Sequence, residues 1–222
     1  MKSGHPIPPV LMFDFDGTLV DSREAITSSV LKALDEFGLP PLSPEVIAGN
    51  IGLPAPVALA RALPDVDADT VTRLVACYRH HYATHGQFQH APFAGVDDLL
   101  PKLKAKGYRL AIATAKPSAP LADLMDRYGW NELFEARRGG DDVVNSKPTP
   151  DMLFSLIEQL GVAANDCMMI GDSIYDIQMG KAAAVATCAV TWGYNSQEAL
   201  AQAAPDFTKT SVDSMAAWLL AD

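Results

Sequence analysis

Val10-Leu11-Met12-Phe13-Asp14-Phe15-Asp16-Gly17-Thr18 places four apolar residues directly before two carboxylates and a glycine. The run reads as a buried strand entering a tight turn. Asp21 and Glu24 are spaced like a capping box for a helix starting near Ser22. That helix should run to about Phe37, ahead of Gly38 and Pro40. From there to about His90 no strand pattern occurs. Ser43-Pro44 reads as a cap followed by proline at the first helical position. Val71, Leu74, Val75, Tyr78 and Tyr82 share helical spacing, so 67–84 should be one amphipathic helix.

After Pro92 strands and helices alternate. Val96, Leu99, Leu100 and Leu103 mark a helix ending at Gly107. Arg109 to Thr114 is a buried-strand run, and Leu121, Leu124 and Met125 return to helical spacing. Thr149-Pro150 should cap a helix carrying Met152, Leu153, Leu156, Ile157 and Leu160. Cys167 to Ile170 and Ala186 to Thr191 are further strands, and two helices close the chain. Alternation of this kind makes βαβ units and a mostly parallel sheet. The fold class is therefore α/β: a doubly wound, mostly parallel sheet interrupted after its first strand by an all-helical insertion. The expected division is an α/β core of residues 1–20 and 91–222 and a helical insertion of residues 21–90.

The chain has 222 residues, 49% of them hydrophobic, which is enough for a sizeable core. With 17 Lys plus Arg against 27 Asp plus Glu, the formal charge is −10. Such a field repels nucleic acid and anionic membranes. It repels an anionic substrate too, so phosphate chemistry needs local rescue by a metal ion or a few placed lysines. Cys77, Cys167 and Cys188 match no zinc spacing or disulfide framework, which points to a reducing, cytoplasmic setting. Prolines near the N-terminus stand against a secretory leader, and no apolar run reaches the roughly 18 residues of a membrane span.

In an open parallel sheet ligands bind at the carboxyl ends of the strands. Those ends carry Asp14 and Asp16, then Thr114 with Lys116 just beyond, then Asp172 with Asp176 following. Lys147 lies in the loop before the helix at 150. Two carboxylates two apart on an extended segment point the same way and repel, so a cation between them is favoured. Asp172 would add a further oxygen ligand, and hard oxygen donors suit magnesium. A calcium loop is excluded, because that pattern needs its glycine at the sixth position and Gly17 is fourth.

Asp14 to Ser22 resembles the first motif of the haloacid dehalogenase-like hydrolase superfamily. Thr114 matches its second motif, Lys147-Pro148-Thr149-Pro150-Asp151 its third, and Gly171-Asp172-Ser173-Ile174-Tyr175-Asp176 its fourth. The match in order and spacing extends from residue 10 to about 194. Trp192-Gly193-Tyr194 adds a likeness to the phosphoglycolate phosphatase group, whose small helical cap the insertion resembles. The resemblance implies a Rossmann-like core and a Mg2+-dependent hydrolysis through an aspartyl-phosphate. It implies that Asp14 is the nucleophile and that Asp16 is the acid and base. Asp14, Asp172 and the backbone carbonyl of Asp16 would hold the metal. Thr114, the Ala115 amide and Lys147 would bind the phosphoryl group, and Asp176 would orient Lys147 or a metal-bound water. The second motif usually continues Thr-Asn-Lys, where this chain has Thr114-Ala115-Lys116. Ala184 stands where relatives often carry glycine.

The implied substrate is a small phosphorylated metabolite, phosphoglycolate first. A phosphosugar mutase and an inorganic pyrophosphatase of the same superfamily are the alternatives. More distant is a phospho-accepting receiver module, whose aspartate should lie on a later strand and which has no helical insertion. A dehalogenase has no use for the acid Asp16. His80, His81, His85 and His90 cluster in sequence, and His81 and His85 have a spacing that could suit zinc on a helix, although a polar face is the plainer reading. Arg137 and Arg138 read as an exposed loop. Whether the chain is a monomer or a homodimer is not legible.

Overall fold

The computed structural model of the chain describes residues 7–86 and 89–221. Residues 1–6, part of the proline-bearing N-terminus, lie outside the described residues, as do Gln87, Phe88 and Asp222. The first half contains β1 (Val10–Phe13), β2 (Val20–Asp21), α1 (Arg23–Glu36), α2 (Pro44–Ala48), α3 (Ala55–Ala62), α4 (Ala68–Thr84) and β3 (Ala91–Pro92). There follow α5 (Val96–Ala105), β4 (Arg109–Ala113), α6 (Ser118–Tyr128), β5 (Ala136–Arg138) and α7 (Asp151–Leu160). The chain continues through β6 (Cys167–Gly171), α8 (Ile174–Ala182), β7 (Ala186–Val190), α9 (Gln197–Gln202), β8 (Phe207–Lys209) and α10 (Val212–Leu219).

All four side chains of β1 are buried. A strand that is apolar on both faces needs a layer on each side. Leu11 and Phe13 enter one hydrophobic cluster with Leu100 of α5, Leu121 of α6 and Met215 of α10. Val10 and Met12 enter another with Leu153 of α7 and Met179 of α8. Each such fully buried side chain contributes about 1.5–3 kcal/mol of transfer free energy. The main sheet runs β5-β4-β1-β6-β7-β8, and every pair in it is parallel. The chain winds outward from β1 through β4 to β5, then returns to the other side of β1 for β6, β7 and β8. Strand order thus reverses beside β1, which puts the ligand crevice at the carboxyl end of that strand.

The insertion is helical, as the pattern predicts. Val30, Leu34, Leu59, Leu74 and Val75 from its helices form a hydrophobic cluster of their own. The chain leaves and re-enters the main sheet region through an antiparallel ribbon in which Val20 pairs with Pro92 and Asp21 with Ala91. Among the described residues no helix is long and apolar enough to cross a membrane.

Several local expectations need correction. The capping box of Asp21 and Glu24 does not form. Ser22 is the N-cap residue and makes no side-chain cap, because its hydroxyl donates to Asp16 instead. Thr149 does not cap α7; its hydroxyl donates backwards to the Asn145 and Ser146 carbonyls. Ser43 does cap α2, accepting from the Val46 amide. Arg137 and Arg138 are not a loop but part of edge strand β5, and β8 lies between the two closing helices. Both strands have three residues, too few to show a period.

Candidate active site

Asp14 is the first residue past β1, and its N–H donates to the Ile170 carbonyl of β6 at 2.9 Å. The backbone then folds back on itself. The Phe15 carbonyl accepts from the Leu19 and Val20 amides, each at 3.0 Å, and Gly17 takes a φ of +86°. Only glycine adopts that conformation without strain. Space demands glycine too, since a Cβ on Gly17 would lie 2.4 Å from Asp172 Oδ2. Asp172 follows β6 directly. On its other side, a Cβ on Gly193 would lie 2.2 Å from the Asp172 Cβ. Two bare backbone positions therefore cradle one carboxylate.

Thr114 follows β4, its N–H donating to the Arg138 carbonyl at 3.0 Å. Lys147 reaches in from the loop ahead of α7. Asp176 sits in the first turn of α8, where its Oδ2 accepts from the Ser173 amide at 3.0 Å and hydroxyl at 2.6 Å. The structure thus brings Asp14, Lys147, Asp172 and Asp176 together, all buried. Lys147 Nζ lies 2.6 Å from Asp14 Oδ1 and 2.6 Å from Asp176 Oδ1. Asp172 Oδ1 accepts from the Thr18 hydroxyl at 3.0 Å, and its Oδ2 accepts from the Tyr194 amide at 2.8 Å.

One ammonium among three buried carboxylates leaves the cluster short of positive charge. Burial pushes the Asp14 carboxyl up to about 7 against the pull of Lys147, and Asp176 and Asp16 add to the push. Asp172 is raised well above the ordinary range, by burial first and then by Asp14 and Asp176. Burial alone would lower the Lys147 pKa, but Asp14 and Asp176 overcome it and hold the amine above its usual value. Among the described residues Asp14 Oδ2 is buried with no hydrogen-bond partner, which leaves a desolvation penalty unrelieved. Asp14, Asp172 and Asp176 present carboxylate oxygens within 4.8 Å of one another. An orphaned oxygen, excess negative charge and an all-oxygen donor set fit a hard divalent cation.

Asp16 stands apart from that trio. Its carboxylate turns towards the helices: Oδ1 accepts from the Ser22 hydroxyl at 2.7 Å, and Oδ2 lies 3.1 Å from Lys116 Nζ. The expectation of two parallel carboxylates clasping one cation is therefore altered, with Asp14 facing Lys147 and Asp16 facing Lys116. The residues around Asp16 are the ones that sequence reasoning missed. Ser22 is held in turn by the Tyr194 hydroxyl, which accepts from the Ser22 amide at 2.6 Å. Lys116 donates to the Tyr82 hydroxyl of α4 at 2.9 Å. In the sequence Lys116 stands out only by its place after Thr114, and the Trp192-Gly193-Tyr194 likeness assigns Tyr194 no role.

A cavity of about 610 Å3 opens between these strand ends and the helical insertion. Asp14, Asp16, Thr114 and Ala115 line its floor, and apolar residues such as Leu59 and Ile47 line its roof. The Gly52 segment descends onto the core, where a Cβ on Gly52 would lie 2.8 Å from Ser173 Oγ. Arg61 of α3 donates to the Tyr175 hydroxyl at 2.7 Å. The histidines do not form one site. His81 pairs with Glu36 at 2.8 Å, His85 contacts Thr84, and His90 lies 2.7 Å from the Tyr128 hydroxyl. Arg137 and Arg138 bond to Asn131 and Ser155 on the sheet edge.

Residues 11–190 match the family model of haloacid dehalogenase-like hydrolases. A phosphoglycolate phosphatase of Aliivibrio fischeri is 34% identical over 204 residues, covering 89% of this chain and 90% of that protein. The phosphoglycolate phosphatase of Escherichia coli K12 is 34% identical over 227 residues, covering 91% and 89%. Among solved structures, a predicted phosphatase from Clostridium acetobutylicum superposes with a TM-score of 0.88 at 28% identity, covering 97% of this chain and 99% of that one.

Proposed function

This chain belongs to the haloacid dehalogenase-like hydrolase family and is a phosphatase; from that premise we propose that it is a Mg2+-dependent phosphomonoester hydrolase working through an aspartyl-phosphate on Asp14. Its substrate is a small phosphorylated metabolite, and phosphoglycolate is the first candidate because the relatives bear that name. The observation that carries the reading is the contact of Lys147 with both Asp14 and Asp176, beside a buried Asp14 oxygen that has no partner. The division into a core of 1–20 and 91–222 and a cap of 21–90, and a cytoplasmic setting, belong to the same reading.

In the first half-reaction an Asp14 carboxylate oxygen attacks phosphorus, and the bond from phosphorus to the leaving oxygen breaks. Asp16 gives its proton to that oxygen. In the second, Asp16 takes a proton from water, the water oxygen bonds to phosphorus, and the Asp14–phosphorus bond breaks. Splitting hydrolysis this way needs a nucleophile and a group that changes from acid to base. Thr114 has a hydroxyl to donate to a phosphoryl oxygen, since its Oγ1 already accepts from the Lys116 amide at 3.2 Å. The Ala115 amide is the second donor. Lys147 offsets charge on the nucleophile and phosphoryl group, and Asp176 orients Lys147. Asp14, Asp172 and the Asp16 backbone carbonyl would hold Mg2+, which when bound supplies charge neutralisation for the transferring phosphoryl group.

Steady-state assays on a panel of phosphoglycolate, sugar phosphates, nucleotides and pyrophosphate, with and without Mg2+, test this. Turnover is expected only with the metal. Metal-independent hydrolysis overturns the reading, and transfer of the phosphoryl group to a sugar in place of water moves the chain to the mutases.

A further inference from the structure

We propose that Lys116 is a positioning residue that ties the seating of α4 over the site to the orientation of the Asp16 carboxylate, an inference that rests on the acid–base role given to Asp16 above. The carboxylate has two partners. Ser22 holds Oδ1 from the start of the insertion. Lys116 holds Oδ2 from the loop after β4, and Lys116 is itself only 8% exposed.

The base of this lysine is rigid. Its amide donates to Thr114 Oγ1 at 3.2 Å, and its carbonyl accepts from the Gly140 amide at 2.9 Å. Nearby, Ser118 anchors the loop through its amide to Asp141 at 2.7 Å and its hydroxyl to Asp142 at 2.5 Å. The far end of the lysine meets α4. Its ammonium is 2.9 Å from the Tyr82 hydroxyl and 4.6 Å from the centroid of the Tyr82 ring. Tyr82 is buried and stacks against His90.

A buried ammonium needs partners, because desolvation without them is costly. Here those partners are one carboxylate on the core and one tyrosine on the insertion. With α4 in place, water is excluded and the ammonium holds Asp16 firmly. With α4 lifted, water replaces Tyr82, the ammonium is solvated, and its grip on Asp16 loosens. Proton delivery to the leaving oxygen is then aligned only when the roof is closed over a substrate. A role as phosphate ligand is the rival, since Lys116 lines the cavity. Its existing contacts with Asp16 and Tyr82 favour positioning.

The two roles separate by leaving group. p-Nitrophenolate departs without a proton, whereas an alkoxide needs one, and kcat/KM covers the steps up to alcohol release. Lys116→Met is expected to lower kcat/KM for an alkyl phosphate by about 10²-fold and for p-nitrophenyl phosphate by under about tenfold. Competitive inhibition by inorganic phosphate should stay unchanged, and Lys116→Arg should recover part of the alkyl activity. Tyr82→Phe keeps the ring and loses the hydroxyl, so it should show the same bias towards alkyl esters in a weaker form. If circular dichroism shows Lys116→Met unfolded, Tyr82→Phe decides. Equal losses on both esters, or phosphate inhibition that weakens in parallel, overturn the proposal. Asp14→Asn should be silent on both esters. A wild type silent on both removes the acid–base reading, and this inference with it.

Discussion

Across one cavity, the strand ends and the helical roof bury opposite kinds of side chain. Below, Asp14, Lys147, Asp172 and Asp176 are at most 3% exposed, and each is charged or titratable. Above, Ile47, Ile51, Leu53 and Leu59 are at most 9% exposed and wholly apolar. A buried charge constrains its neighbours by sign, distance and hydrogen-bond count. A buried aliphatic constrains them mainly by volume. Substitution should therefore be tolerated less in the floor than in the roof.

The sharpest way to break that contrast is at the proposed nucleophile. Asp14→Asn keeps the shape and removes the attacking oxygen, so phosphate release should fall by about 10⁴-fold or more. A loss under tenfold would move the chemistry elsewhere. Lys147→Met should cost about 10²–10³-fold in kcat and should also lower the melting temperature, because it leaves Asp14 and Asp176 buried without their cation. A variant that kept full activity would show the floor to be as permissive as the roof.

The floor should also respond to pH and metal where the roof does not. Asp14 titrates in the native state near 7, above its ordinary 3.8, and Asp172 is raised as well. The metal-free native state thus holds protons that the unfolded chain has released. The stability from this source is full below about pH 4 and is lost as pH rises through about 7. A divalent cation must displace those protons or find them gone, so it binds better as pH rises. Calorimetry with Mg2+ and with chelator should therefore show a larger rise in melting temperature at pH 8 than at pH 5. Equal shifts at both would mean that the carboxylates do not hold the metal.

Roof substitutions should act on selectivity. Leu59→Ala should change the ratio of kcat/KM between a bulky ester and phosphoglycolate by about tenfold, with a stability loss of about 2 kcal/mol. An unchanged ratio would deny the roof its part in reading the alcohol. The smallest effect lies far from both surfaces. Ala184 has a φ of +55°, so Ala184→Gly relieves local strain but loosens the unfolded chain. The two nearly cancel, leaving a gain of up to about 1 kcal/mol in a denaturant melt.

The floor was also the more legible half. Asp14, Asp16, Thr114, Lys147, Asp172 and Asp176 each follow or flank a strongly patterned element, so strand ends could be found from hydrophobic runs alone. The central strands were legible because burial on both faces demands uninterrupted apolar residues. Edge strands β5 and β8 were not, since three residues carry no period and an edge tolerates Arg137, Arg138 and Lys209. Side-chain partners across long separations were hidden as well. Nothing local to Ser22 announces Tyr194, and nothing local to Asp16 announces that its companion is Lys116, with Tyr82 behind it. The expected capping box of Asp21 and Glu24 fails because the N-cap falls one residue later, at Ser22, whose hydroxyl donates to Asp16. For the insertion, helical spacing identified the long helix α4 but not the cavity its face would roof.

The strand that leads into Asp14 is made before either of its neighbours in the sheet. Val10 pairs with Arg109 on one side and Cys167 on the other. During synthesis β1 leaves the ribosome with neither neighbour available, while the helices of the insertion, which lie between Arg23 and Thr84, are made before either neighbour arrives. The apolar β1 must stay out of aggregates until β6 arrives. Loop closures of that length slow the search. A nascent chain halted before Asp172 would carry a folded roof over a site that does not yet exist.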